Sequence, residues 1–171
     1  KATCLYAVEV PASGGDTLFA NTGMAFDELS AGLKAMLNGL WGRYTSQLVH
    51  GASGPYASVK SGRAPKASPD TMRASVRHPV IRTHLETGRP SIYATPLHCE
   101  SFENMSREET LPVLNYLYEF ATQEKFQARL GWRKGTLALW DNRCLFHNAL
   151  NDYQGKRREM LRVTLKGEVP V

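Results

Sequence analysis

Cysteine is scarce in this sequence. There are three, Cys4, Cys99 and Cys144, odd in number and widely spaced along 171 residues. That excludes a disulfide scaffold and offers no CxxC pair for a zinc knuckle, so a reducing, cytoplasmic setting is the expectation. Long apolar runs are absent too. Nothing approaches the ~18 consecutive apolar residues of a membrane helix, and Lys1–Val10 reads as a strand and not as a signal peptide. There is no GxSxG elbow, Walker-type glycine loop, GxGxxG turn or HExxH pair. RNP, helix-turn-helix and zinc-finger signatures are also missing, so neither nucleic acid nor a membrane is the expected partner.

What remains is the composition of a globular protein, 42% hydrophobic and 22% charged, with no repeat and no internal boundary. Residues 1–171 therefore read as one domain. The net charge of +5 is unevenly spread. Lys60, Arg63, Lys66, Arg73, Arg77, Arg82 and Arg89 face only Asp70 and Glu86 in that stretch. Such a segment is a solvated basic loop or a lure for small anions.

The periodicities alternate between strand and helix. Residues 3–10, 17–21 and 41–50 have strand character. Ser30 can cap a helix carrying Leu33, Met36, Leu37 and Leu40. Residues 51–77 hold Gly, Ser, Pro and basic residues without apolar period, the mark of a long functional loop, here expected to be a mobile lid. Val80–His84 and Ser91–Ala94 flank a hairpin turn, and Ser106-Arg-Glu-Glu109 is a capping box opening a second helix. Phe126–Trp132, Thr136–Trp140 and Arg158–Lys166 complete the strands. Many short strands with two helices predict a mainly β, double-sheet or barrel architecture with flanking helices.

The residues with chemical potential lie late in the chain. His147 is expected just past a strand end, where a lone histidine is either a hydrogen-bonded structural residue or a ligand. Arg158 and Arg162 fall four apart, on one face of a strand by the period of two and roughly 13 Å apart along it. Two guanidiniums turned inward need anionic partners, either Asp or Glu (Asp141 and Asp152 are nearby in sequence) or an anionic ligand. A planar guanidinium suits a carboxylate because it binds it bidentately.

Four motifs then occur in order: Gly14-Gly-Asp-Thr-Leu-Phe-Ala-Asn, His78-Pro-Val-Ile-Arg-Thr-His-Leu-Glu-Thr-Gly-Arg, Trp140-Asp-Asn-Arg-Cys-x-x-His and Arg158-x-x-x-Arg162. Together they resemble the TauD/TfdA family of iron(II)- and 2-oxoglutarate-dependent dioxygenases, over nearly the whole chain. The resemblance implies a double-stranded β-helix (jelly-roll) core and a 2-His-1-carboxylate iron site. It implies hydroxylation of a small anionic substrate (a sulfonate, alkyl sulfate or aryloxyalkanoate) by O2, with release of succinate and CO2. By the same resemblance His147 matches the distal iron ligand. Thr17 and Arg158 match the residues that hold the far carboxylate of 2-oxoglutarate. Arg162 matches the arginine on the acidic group of the substrate, His98 takes the place of a pocket residue, and Trp140 walls the site. A homo-oligomer is among the expectations.

One departure stands out. The family's first histidine and carboxylate form a His-x-Asp motif ahead of the GGDT segment, and no His-x-Asp occurs here. His50, His78, His84 and His98 are not expected to substitute. The expectation is that the motif lies upstream of Lys1, that these residues are the C-terminal part of the domain, and that they are inactive alone. Two other readings stay open: a non-catalytic β-sandwich module that grips an anion without metal, excluded by an upstream His-x-Asp, and a basic nucleic-acid binder, recognised by binding that falls steeply with salt.

Overall fold

The computed structural model describes residues 1–50 and 74–171. Most of the expected lid, residues 51–73, lies outside the described residues. Its last residues do not belong to a loop, because Ser75–Arg77 are part of a strand. In chain order the strands are β1 (Ala2–Glu9), β2 (Thr17–Asn21), β3 (Trp41–Thr45), β4 (Ser75–Pro79), β5 (Ile81–Thr83), β6 (Pro90–Ile92), β7 (Cys99–Phe102), β8 (Gln127–Leu130), β9 (Leu137–Asp141), β10 (Leu145–Ala149) and β11 (Glu159–Thr164). The helices are α1 (Thr22–Glu28), α2 (Ala31–Leu37), α3 (Gln47–His50) and α4 (Arg107–Ala121). None of the described helices is long and apolar enough to cross a membrane.

The residues sort into two compact units. The first comprises Lys1–Leu29, Arg82–Ile92 and Phe120–Pro170. It holds two three-stranded antiparallel sheets, ordered β11-β1-β9 and β10-β2-β8. From β1 to β2, and again from β8 through β11, the chain changes sheet at every step, while β5 and β6 pair with each other. The chain leaves β1 through Gly14 and Gly15, both at positive φ, to enter β2 in the other sheet. It leaves β8 through a turn in which Thr136 N–H donates to the Arg133 carbonyl (2.9 Å), and then alternates through β9, β10 and β11. This alternation is the double-stranded β-helix expected from the sequence.

Side-chain period decides which face is which. In the first sheet Thr3, Ala7 and Trp140 are buried on the inner face. On the opposite face Tyr6 pairs with Leu137 and Leu161, and Cys4 pairs with Leu139 and Val163. Those four aliphatic side chains are all more than half exposed. The inner faces meet through Trp140 on β9 and Phe19 on β2, edge to face at 5.2 Å.

The second unit comprises Ser30–Ile81 and Tyr93–Glu119, with Val171. Its sheet runs β4-β3-β7. Tyr44 on β3 packs against His78 and Tyr93 and donates its hydroxyl to the Pro79 carbonyl (3.2 Å). Gly42 is required there, since a Cβ would stand 2.8 Å from the Cys99 sulfur. The capping box forms in full: Glu109 N–H donates to Ser106 Oγ (3.2 Å) and Ser106 N–H donates to Glu109 Oε2 (2.7 Å). Leu114 and Leu117 of α4 are then completely buried.

Several boundaries differ from the sequence expectation. Ser30 caps α2, but the helix stops at Leu37, because Gly39 turns the chain at φ +73°. Met36 is consequently exposed and only Leu37 is buried. Residues 47–50 form a helical turn and not the end of a strand. Helix α1, set by Asn21 accepting from the Gly23 and Met24 amides, has no apolar period to betray it.

Candidate functional site

The first unit gathers five of the six residues singled out from the sequence. His147 is in the middle of β10 and not past a strand end. It pairs with Phe19 of β2, and the Trp140 ring lies 5.1 Å from the imidazole. One side of the ring is thus walled by aromatics while the residue as a whole is exposed. Desolvation by these neighbours, and then the positive charge of Arg162, hold its pKa below the usual imidazole range. The neutral imidazole that results is the form able to ligate a metal. The Trp140 indole N–H is buried without a hydrogen-bond partner among the described residues.

Thr17 opens β2 and is almost fully buried. Its Oγ1 accepts a hydrogen bond from the Trp132 indole N–H at 3.0 Å. The face of that indole lies 5.9 Å from the Arg158 guanidinium carbon, and the Tyr153 ring lies 5.8 Å away from it. Arg158 immediately precedes β11 and is not within it. Its Nε and Nη2 are buried and have no hydrogen-bond partner among the described residues. The backbone makes room for this arrangement. Gly15 sits at φ +76°, and a Cβ there would meet Arg158 Cδ and Tyr153 Cδ1 at 3.2 Å. Its N–H donates to Asp152 Oδ1 (2.6 Å), which anchors the turn.

Arg162 lies on β11 opposite Leu5 and is exposed. Neither of the carboxylates that might have neutralised it does so. Asp152 is bonded to Gly15, and Asp141 belongs to Arg143. Among the described residues no Asp or Glu forms an ion pair with Arg158 or Arg162. His98 belongs to the second unit, in the turn before β7, where its carbonyl accepts from Thr45 N–H (2.9 Å).

Arg143 has no role assigned from the sequence, yet its side chain holds three carboxylates. Only 4% exposed, it donates from Nε and Nη2 to Asp141 (2.9 and 2.6 Å) and from Nη1 to Glu86 (2.5 Å) and Glu168 (2.9 Å). Glu168 also takes Arg82, and Glu86 also takes Lys1. His84 Nε2 lies 3.2 Å from Asp141 Oδ2. The Lys1 ammonium and then Arg143 draw the Glu86 carboxyl down to about 2, and Arg143 holds Asp141 well below the carboxylate range.

The donor sets allow a direct test of fit. A guanidinium with Nε and Nη2 buried and unpartnered, and a threonine hydroxyl bonded to the same neighbouring indole, are donors that suit one carboxylate of a 2-oxo diacid. The metal is different. Among the described residues no three His, Cys, Asp or Glu side chains stand together to hold an ion, so His147 is at most one ligand. Sequence reasoning passed over two His-x-Glu triplets, His84-Leu-Glu86 and His98-Cys-Glu100. The first is spent in the Arg143 network, and the second lies in the other unit around buried Cys99. The sequence signal for Trp132 and Gly15 was present but weak: a buried tryptophan needs a partner for its N–H, and a glycine pair can signal a close approach as well as a turn.

Two antiparallel sheets between which the chain alternates define a protein of the jelly-roll class, with Arg158 Nε and Nη2 unpartnered among the described residues. The chain belongs to the TauD/TfdA family: the model "Taurine catabolism dioxygenase TauD, TfdA family" matches residues 1–164. It is 34% identical to an alpha-ketoglutarate-dependent sulfate ester dioxygenase of Pseudomonas putida, over 100% of this chain and 56% of that protein. It is 33% identical to an alpha-ketoglutarate-dependent 2,4-dichlorophenoxyacetate dioxygenase of Burkholderia sp., covering 95% of this chain and 52% of that one. A crystal structure of a taurine dioxygenase from Burkholderia xenovorans superimposes with a TM-score of 0.81 at 32% identity, over 99% of this chain and 53% of that chain. The chain thus spans about half the length of these relatives.

Proposed function

We propose that the whole protein is an Fe(II)- and 2-oxoglutarate-dependent dioxygenase that hydroxylates a small anionic organic substrate of the sulfonate, alkyl sulfate or aryloxyalkanoate class. The observation that carries the reading is Arg158, whose Nε and Nη2 are buried and unpartnered among the described residues. Membership of the family supports the rest. In this reading Arg158 and Thr17 bind the far carboxylate of 2-oxoglutarate, and Trp140 walls the site. His147 supplies one iron ligand, with the others coming from outside the described residues. Arg162 receives the anionic group of the substrate. The iron and the 2-oxo acid, when bound, supply the oxidising chemistry. The chain's own residues hold the two anions in orientation, and they keep His147 neutral and so able to ligate.

The test supplies the whole protein with Fe(II), 2-oxoglutarate, O2 and, in turn, an alkyl sulfate, an alkyl sulfonate and an aryloxyacetate, and measures succinate. Substrate-stimulated succinate formation with one class is the expected result. Binding of 2-oxoglutarate without any succinate would overturn it in favour of an anion-binding module.

A further inference from the structure

We infer that Trp132 is a positioning residue for the far carboxylate of 2-oxoglutarate, acting through both groups that hold it. This rests on the proposed reading of the site and goes beyond it.

A threonine hydroxyl can act both ways. It has one O–H to donate and two lone pairs with which to accept. In a pocket left to itself it can turn either way, and half of its usefulness to an anion is lost. Here the buried Trp132 N–H, a group that can only donate, already points at Thr17 Oγ1 over 3.0 Å. Facing an N–H, the hydroxyl must turn its own hydrogen elsewhere. Among the described residues no acceptor takes it. An ionised carboxylate is an acceptor only, so it is the partner that completes the hydroxyl. Trp132 thereby converts Thr17 from an ambivalent group into a dedicated donor.

The same ring serves the cation. Arg158 has its guanidinium carbon 5.9 Å from the indole and 5.8 Å from the Tyr153 ring. Two aromatic neighbours offer a guanidinium an attraction that does not consume its N–H groups. Nε and Nη2 therefore remain unpaired while the cation is held in place. Register explains why Trp132 reaches Thr17: Thr17 pairs with Leu130 at the end of β8, and Trp132 follows two residues later.

The experiment compares two ligands that differ only at the far end. 2-Oxoglutarate and 2-oxobutyrate share the 2-oxo acid head, and 2-oxobutyrate lacks the far carboxylate. Their binding to the whole protein is measured by titration calorimetry with redox-silent Mn(II) present. Trp132→Phe should weaken 2-oxoglutarate about 3- to 10-fold, the range of one neutral hydrogen bond, and leave 2-oxobutyrate unchanged. In a Thr17→Val background the same substitution should cost less than it does in the wild type, the remainder being the share carried through Arg158. If Trp132→Phe fails to fold, 3-benzothienylalanine at position 132, which replaces only the N–H by sulfur, carries the same expectation. An equal change for both ligands, or none for either, would overturn the inference. A wild type that does not favour 2-oxoglutarate over 2-oxobutyrate would overturn the underlying reading instead.

Discussion

Arg158 and Arg162 are chemically identical and are expected to fail differently. Arg158 is enclosed by Gly15, Tyr153 and Trp132, whereas Arg162 is exposed on the strand and is felt electrostatically by His147. Arg158→Ala should raise the KM for 2-oxoglutarate by about two orders of magnitude, since truncating one partner of a desolvated charge pair costs a few kcal/mol. Arg162→Ala should leave 2-oxoglutarate affinity and slow uncoupled succinate production in place while the KM of the organic substrate rises. Lysine should restore neither fully, because a point charge does not reproduce a planar fork. Steady-state kinetics with each substrate varied separately would check this, and identical defects in the two variants would end the division of labour. Gly15 supplies a sharper test of packing. Gly15→Ala places a methyl against Arg158 and Tyr153 at a left-handed φ of +76°, a conformation costing an L residue roughly 1–2 kcal/mol. Its expected signature is weaker 2-oxoglutarate binding together with a lower Tm.

Among the elements, the turn from β9 to β10 shows how much rests on one side chain. Arg143 ties Asp141 on β9 to Glu86 in the β5–β6 turn and to Glu168 beyond β11, four residues before His147. Glu86 and Asp141 both have folded pKa values below their unfolded ones. A depressed carboxylate stabilises the fold above its unfolded pKa, near 4, and that stability is lost as pH falls through the folded value. Thermal melts should therefore lose Tm between pH about 4 and about 2, the window set by Glu86, and Arg143→Met should already be destabilised at neutral pH and show a flatter loss over that range. A wild-type Tm that stays level across the window would count against the network. Two of the quoted motifs contain Arg82, His84 and Glu86 and then Asp141 and Arg143, but their mutual pairing, and the parts of Lys1 and Glu168 in it, were illegible because the partners are far apart in the chain. The strands and the capping box at Ser106 were legible because alternation and capping are local. Even there, the end of α2 depended on Gly39, and the strand expected across 41–50 broke into a helical turn that apolar content could not distinguish. The candidate site was read from four ordered motifs, and the Trp132–Thr17 hydrogen bond was missed because it depends on the register between β2 and β8.

At the scale of the whole molecule the two faces of the first sheet contrast. The inner face is consumed by Thr3, Ala7 and Trp140. The outer face carries Leu137, Leu139, Leu161, Val163 and Leu165 at 49–67% exposure, joined by Tyr6 at 42%. Strand register makes them one continuous patch: Cys4 stands between Leu139 and Val163, and Tyr6 between Leu137 and Leu161. Scattered apolar side chains on a surface are ordinary, whereas a contiguous sheet face of this kind is a site of association. A pleated face also presents its side chains in rows that fit another flat apolar surface. The 171-residue polypeptide produced by itself is accordingly expected to self-associate through this face, with an apparent mass that rises with concentration in light scattering. Leu139→Lys with Val163→Glu places opposite charges on the strands either side of Cys4, so the net charge is kept and the patch loses its continuity. That double variant should run as a monomer at concentrations where the unaltered chain does not. A control on the same sheet, Thr164→Glu, adds charge outside the patch and should leave association unchanged. Monomeric behaviour of the unaltered chain at high concentration, or equal association of all three proteins, would show that this face is not what brings copies together.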